Sequence, residues 1–460
     1  MAYALSPGVT VYEKDFTSIV PAVSSSTGAF AGGFAWGPVS YPVMVSSENE
    51  LVAKFGKPTA SNFEDFFTAG NFLSYSGSMY IARKDSASAV NAVTTGGTAT
   101  KIKNIDHYGT LTTSTILADY AAKYPGTLGN SLLVSYADSA SYGAWAYKDK
   151  FDGAPGTSSY AASQNATQDE LHVIVIDEDG AFTGTAGTIL EKFAYVSKAS
   201  DARKYDGTNN YYKDVINNTS QYIWWLRHTT ATLTGTTAWG SVAAGSSFKT
   251  LGTAVTSSLA GGVDDYTDAG SYVQAAWLLY VNDSAYDISL LPVGKATAVT
   301  AAYVIANVAA VRKDCVAFVS LSTTAGAMIP DTSATISTDA TAFVTAVGSS
   351  SYGVMDSGYK YQYDRYNDVY RWVPLNGDIA GLTARTDMTN DAWWSPAGFN
   401  RGQIKNIVKL AWNPRKAERD VLYSNGVNPV VTFPGQGTVL FGDKTLQAKP
   451  SAFDRINVRR

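Results

Sequence analysis

A chain of 460 residues is long enough for two or three domains, each able to bury its own core. Charged residues are 16%, below the usual quarter, and the net charge of −4 comes without basic runs, which argues against nucleic acid as the main partner because phosphate binding needs clustered Lys and Arg. The only cysteine, Cys315, leaves no disulfide framework and no Cys-based metal site, as expected of a chain folding in a reducing compartment. The opening MAYALSPGVTVYEKD lacks the basic start and apolar block of a signal peptide, and no run of about 18 apolar residues predicts a membrane span.

Residues 1–22 alternate weakly around Val9 and Val11 after the turn-forming Ser6-Pro7-Gly8, a pattern that fits a frayed terminus or a strand added to another sheet edge. From Thr27 to Asp85 the pattern is α/β. Strands are predicted at Ala29–Trp36, Val43–Val45 and Met79–Arg83, and capping boxes at Ser47/Glu50 and Ser61/Glu64. Phe63, Phe66, Phe67 and Gly70 share one helical face, which reads as core. Between Ser86 and Gly262, turns rich in Gly, Thr and Ser separate strands such as Leu132–Tyr136 and Leu171–Ile176, with one helix expected near Ala186–Ser197. Lys249 is the only charged residue between Thr229 and Val263.

The α/β pattern returns at Asp287. A strand at Ile288–Val293, a helix at Thr297–Arg312 with Val304, Ile305, Val308 and Val311 on one side, and a strand at Cys315–Leu321 make a βαβ unit, which implies parallel pairing. Helices near Thr338–Val347 and Asn413–Ser424 follow, then a hairpin over Val430–Phe433 and Thr438–Phe441. The fold class expected is therefore α/β (α+β mixed): a discontinuous core domain over 23–85 and 263–460, a β-rich inserted outer domain over 86–262, and an extended N-terminal arm over 1–22.

The densest chemistry lies in Tyr359–Arg401, where Tyr, Trp and Arg mix with carboxylates and Asn376-Gly377-Asp378 reads as a turn before a short helix. Such residues carry binding energy where proteins meet, because they join large area to a polar handle. They fit equally a strand–turn–helix core segment whose polar groups satisfy one another.

No catalytic, cofactor-binding or metal-binding residues are expected. Gly294-Lys295 sits between strand and helix, but Ser289 and Ala296 stand where a phosphate loop needs Gly and Ser or Thr. His107, His172 and His228 are isolated, and Asp177-Glu178-Asp179-Gly180 is too short for an EF-hand loop. Nothing assembles a nucleophile, base and orienter, so an enzyme is not expected.

The segments YQYDRYNDVYRWVPLNGDIAGL, WWSPAGFNRGQI and GDKTL…SAFDRINVRR resemble the contractile tail sheath proteins of myovirus-type bacteriophages, of the long multi-domain kind. LSPGVTVYEKD, AKYPGTLGNSLLVS, DELHVIVIDEDGAFTGTAGTILEKF and RKDCVAFVSLS are similar to the same family. The resemblance implies a structural subunit that polymerises with copies of itself as stacked hexameric rings around a tail tube and contracts to drive the tube through the host envelope. It implies tail tube, baseplate and neck or tail terminator proteins as partners, no nucleic acid, no membrane insertion and no cofactor. Location would be the virion tail, after assembly in the host cytoplasm.

The resemblance favours the strand-adding arm, with Val9, Val11 and Tyr12 as inter-subunit residues. For assembly or core it points to Arg365, Tyr366, Trp372, Arg385, Trp393, Trp394 and Arg401. Long sheath proteins continue past the equivalent of Arg460, so a C-terminal tube-facing segment is expected to be lacking. Alternative readings are the sheath of a phage-tail-like bacterial injection machine and a receptor- or carbohydrate-binding tail protein.

Overall fold

Two seven-stranded sheets organise the protein in a computed structural model that describes residues 26–111, 118–267, 270–330 and 336–459. The candidate arm residues Val9, Val11 and Tyr12 lie outside the described residues. The first sheet begins with β1 (Gly28–Gly32), β2 (Val43–Val45), α1 (Glu48–Phe55), α2 (Phe63–Leu73) and β3 (Met79–Arg83). Ser47 caps α1 by accepting from the Glu50 amide at 3.3 Å, and Gly56, at φ 80°, ends it. Glu50 reaches back to the Ser46 amide, one residue earlier than a capping box requires. The second expected box does not form. Asn62 precedes α2 with its side chain turned to Thr59, and Glu64 is drawn off to Lys295, 2.8 Å away.

β1 ends at Gly32, short of Trp36, because the Gly33 amide donates to the Asp65 carboxylate at 2.6 Å and leaves the ladder. Residues 33–39 then form a strap that carries Trp36 into the core of the second sheet.

That sheet takes its strands from β4 (Val93–Thr94), β5 (Tyr120–Ala122), β6 (Leu132–Asp138), β7 (Glu170–Asp177), β8 (Thr188–Ser197), β9 (Ile223–Trp225) and β12 (Val255–Ala260). They are ordered β8-β7-β6-β12-β4-β5-β9 with every neighbour antiparallel. Helices α3 (Ile105–Thr110), α4 (Ser159–Ser163) and α5 (Tyr212–Thr219) and the ribbon β10 (Leu233–Thr234) with β11 (Thr250–Leu251) fill its connections. The helix expected near Ala186–Ser197 is strand β8. Its β-branched and aromatic side chains pair with β7 across two register shifts, and that pairing outweighs local helix preference.

The chain returns to the first sheet through α6 (Gly270–Trp277), β13 (Leu290–Pro292), α7 (Ala298–Val304), α8 (Ala310–Arg312), β14 (Val316–Ser320), α9 (Ile336–Val347) and β15 (Gly353–Asp356). Next come β16 (Tyr359–Asp364), β17 (Val369–Pro374), α10 (Asn376–Thr389), β18 (Lys409–Leu410), α11 (Lys416–Ser424) and β19 (Val427–Asn428). The hairpin β20 (Val430–Phe433) and β21 (Gly437–Leu440) and the short α12 (Ile456–Arg459) close the described chain. The first sheet runs β19-β15-β14-β13-β1-β3-β2, parallel throughout except for β2. Its central strands β1 and β14 are buried end to end, as a sheet covered on both faces demands.

The expected βαβ crossover is present, but a π-helical turn at Ile305–Ala309 interrupts its helix. The wider turn keeps Val304, Ile305 and Val308 in the core and rotates Val311 out to 56% exposure. Asn376-Gly377-Asp378 is the first turn of α10, not a loop before it.

The two sheets meet where Val90 bridges Val263 and where Trp36 packs edge-on to Tyr124 and Phe182, at 5.3 and 5.1 Å between centroids. Val39 adds bonds to both neighbours: its amide donates to the Lys103 carbonyl, and its carbonyl accepts from the Asn104 side chain, each at 2.9 Å.

Candidate functional site

The segment singled out by its aromatic and charged density is built around α10, almost wholly buried from Asn376 to Ala384. Two glycines let it approach α2 and Tyr75 just beyond its end. A Cβ on Gly377 would lie 2.3 Å from the Thr68 carbonyl oxygen of α2, and one on Gly381 would lie 2.6 Å from the Tyr75 ring. Asn376 fastens its start to the sheet. Its backbone amide donates to Ser320 Oγ at 2.8 Å, its side-chain amide donates to the Gly294 carbonyl at 2.8 Å, and its Oδ1 accepts from the Gly294 amide at 3.0 Å. These bonds tie α10 to the C-terminal ends of β13 and β14.

Two residues on, Asp378 meets Lys360 of β16 at 2.9 Å, both side chains fully buried. Lys360 also donates to the Lys405 carbonyl at 3.0 Å. Tyr75 donates its hydroxyl to Asp378 at 3.1 Å and accepts from the Lys405 amide at 2.6 Å. Burial pushes the Asp378 carboxyl up and the Lys360 ammonium down, while their mutual attraction opposes both shifts. Asp356, held by Ser320 Oγ and the Gly358 amide at 2.9 Å each, is pushed well above the carboxylate range by burial, and the charge of Asp378 adds to the shift.

Strands β16 and β17 carry the aromatic face. Tyr361 packs on Trp372 at 4.7 Å and on Tyr370 at 5.4 Å, and Lys409 lies over Tyr361 and Trp372. At the turn, Arg365 lies 3.2 Å from Glu48 of α1 and donates to the Tyr366 hydroxyl at 2.9 Å. Tyr366 in turn donates to Glu48 at 2.9 Å and sets its ring edge against Phe66. Buried Asp364 accepts from Arg371 at 3.0 Å, whose guanidinium lies over Phe63. A cleft of about 370 Å³ opens beside this face, lined among others by Glu48, Asn71, Gln362, Tyr363, Arg365 and Tyr370.

The candidate residues therefore fall into two groups. Arg365, Tyr366 and Trp372 belong to the strand pair and its seam with α1 and α2. Arg385 is on the exposed side of α10, and Trp393 (68% exposed), Trp394 (43%) and Arg401 follow in the next loop. Arg401 lies 5.0 Å over the Trp394 ring and donates to the Ser395 carbonyl at 2.8 Å. Asn376, Gly377, Gly381, Lys360 and Tyr75 were not singled out from sequence as site residues. The legible signal for the glycines was their spacing of four, one helical turn, inside NGDIAG.

Elsewhere His172, His228 and Asp177 find their partners locally. His172 Nδ1 accepts from the Tyr195 amide at 3.0 Å, so its Nε2–H donates to the Gly153 carbonyl at 2.9 Å, and burial lowers its pKa. His228 shares a 2.7 Å hydrogen bond with Tyr212. Asp177 accepts from Ser131, Phe182 and Thr183 at the turn that is too short for an EF-hand loop. Among the described residues no group of three or more His, Cys, Asp or Glu is placed to hold a metal ion, and no helix is long and apolar enough to cross a membrane.

Residues 265–446, which hold α10 and its partners Gly294, Ser320, Lys360 and Lys405 but not those on α2, match the family model of the phage tail sheath protein central domain. The tail sheath protein of Salmonella phage ViI is 30% identical over 549 residues, an alignment covering 100% of this chain and 82% of that protein. That of Enterobacteria phage T4 is 29% identical, covering 99% and 84%. Among solved structures, a sheath tail protein from Listeria innocua superposes with a TM-score of 0.53 at 11% identity, over 95% of this chain and 73% of that one. One from Desulfitobacterium hafniense gives 0.52 at 11% identity, over 98% and 80%, and both likenesses speak to the fold alone. With a relative at 30% identity aligned along its full length, the chain belongs to the tail sheath proteins of contractile-tailed phages, as a structural subunit of the sheath.

Proposed function

We propose that this sheath subunit polymerises with copies of itself as stacked hexameric rings around a tail tube, and that the sheath shortens and widens to drive the tube through the host envelope. The observation that carries this reading is the division within Tyr359–Arg401. One set of groups is consumed in fixing α10 and β16 to the sheet, while Tyr363, Tyr370, Trp393 and Trp394 stay at the surface. Rings with polar handles, on a rigid body, suit contact with protein neighbours. The role is structural rather than enzymatic. Tube, baseplate and neck or tail terminator proteins are the further partners, and the location is the virion tail after assembly in the host cytoplasm.

Two arrangements of one folded subunit require connections that survive the change. Residues 1–22, with Val9, Val11 and Tyr12, supply one as an arm that adds a strand to a neighbour. The core domain spans 23–85 and 263–460, with 86–262 inserted as an outer domain. Support for this division comes from the two sheets, whose strands do not mix between those segments.

The test is electron microscopy of tails carrying an epitope-tagged copy. Label is expected along the extended sheath and again along the shortened one, and label confined to fibres or baseplate refutes the reading. Deleting residues 2–20 is expected to abolish sheath formation without lowering the melting temperature of the isolated subunit. Normal sheaths from the deletion refute the arm alone.

A further inference from the structure

The buried pair Lys360 and Asp378 is in contact through both carboxyl oxygens. Lys360 Nζ lies 2.9 Å from Oδ1 and 2.9 Å from Oδ2. One nitrogen is thus in contact with both oxygens of the same carboxyl, so the two groups are brought together before any reaction. The contact with Oδ2 is poorly directed as a hydrogen bond, and that fully buried oxygen has no hydrogen-bond partner.

We propose that Lys360 and Asp378 form an intramolecular isopeptide bond, a covalent cross-link between β16 and α10. The lone pair of an uncharged Lys360 Nζ attacks Cγ of a protonated Asp378 carboxyl. The tetrahedral adduct then loses one carboxyl oxygen as water. One of the two hydrogens in that water comes from the carboxylic acid and the other from the amine. The product is a neutral secondary amide, and no oxidant or cofactor takes part.

The surroundings favour this step. A charged ammonium cannot attack and an ionised carboxylate resists attack, but complete burial disfavours both charges and moves the pair towards the uncharged forms that react. Tyr75, bonded to Asp378 at 3.1 Å, stands where a hydroxyl can pass a proton to the departing oxygen. The Lys405 carbonyl accepts from Nζ at 3.0 Å and Lys360 is pinned in the β ladder, so little freedom is lost on reaction. The second buried Lys–Asp pair, Lys198 with Asp138, is an internal contrast. There the carboxylate accepts from the Leu251 and Ser141 amides, bonds that stabilise its ionised form.

The experiment is intact-mass measurement of the full-length protein under denaturing conditions, followed by peptide mapping. A mass one water below that of the sequence is expected, with a branched peptide joining Lys360 to Asp378 and no tryptic cleavage after Lys360. Lys360→Arg and Asp378→Ala are each expected to restore the full mass. A wild-type mass equal to that of the sequence, or a loss of water that maps to another pair such as Lys198–Asp138, overturns the proposal.

Discussion

Replacing Gly377 with alanine tests how closely α10 is seated on α2. The added Cβ would lie 2.3 Å from the Thr68 carbonyl oxygen, against an ordinary contact of 3.4–4 Å, so the helices must part by about 1 Å. Neither side can give locally, since the obstructing atom is backbone of α2 and Asn376 pins α10 to Gly294 and Ser320. A gap of that size forfeits roughly a quarter to a half of the dispersion attraction across a contact. Spread over the few buried side chains at this seam, at about 1.5–3 kcal/mol each, the loss is about 3–4 kcal/mol. Alanine returns at most about 1 kcal/mol in helix preference. The expected net destabilisation is about 2–3 kcal/mol.

Gly70 is the matched control. It lies within α2, and its nearest neighbour would be the Glu48 side chain at 3.7 Å, an ordinary contact. Gly70→Ala is therefore expected to stabilise by about 0.5–1 kcal/mol. Denaturant unfolding followed by circular dichroism reads both variants on the same transition. Equal or increased stability for Gly377→Ala would refute the reasoning, and so would a loss at Gly70 as large as that at Gly377.

Burial pushes the Lys123 ammonium down to about 7 from its ordinary 10.5. Both states are neutral above that range; as pH falls from about 10.5 to 7 only the unfolded chain gains the proton, so stability falls through this window and levels off below it, by at most about 4–5 kcal/mol. Lys123→Met is expected to raise the melting temperature at pH 7 and to flatten this slope in scans from pH 6 to 10. Trp36→Ala removes the ring that packs between Tyr124 and Phe182 and should cost about 3–5 kcal/mol, splitting calorimetric melting into two transitions as the sheets uncouple. Excision of 86–262 with a short linker is expected to leave a cooperatively melting core only when Trp36, which would lose its cover, is also made polar; an aggregated chain in both backgrounds refutes the domain division. Trp393→Ala, at a site 68% exposed, should change subunit stability by less than about 0.5 kcal/mol, yet reduce sheath yield in electron micrographs.

The sequence by itself determined the features that depend on neighbours a few residues apart. Ser47 and Gly56 bound α1 because a cap and a left-handed glycine act within one turn, and the Val43–Val45 and Met79–Arg83 runs are strands in the structure. The turn-rich, charge-poor middle reads differently from the α/β segments on either side, and long segments resemble the sheath family in sequence alone. Tertiary structure decided where local preference met a stronger distant partner. Glu64 left its capping role for Lys295, 231 positions away, and Gly33 left the β1 ladder for Asp65. Thr188–Ser197 became a strand because β7 offered it a ladder, although its local pattern also suits a helix. Which aromatic and charged residues of Tyr359–Arg401 are core and which are surface was undecidable from composition, since both uses need the same side chains. The choice follows from the approach of α10 to α2, set by two glycines and an oxygen contributed some 300 residues earlier in the chain.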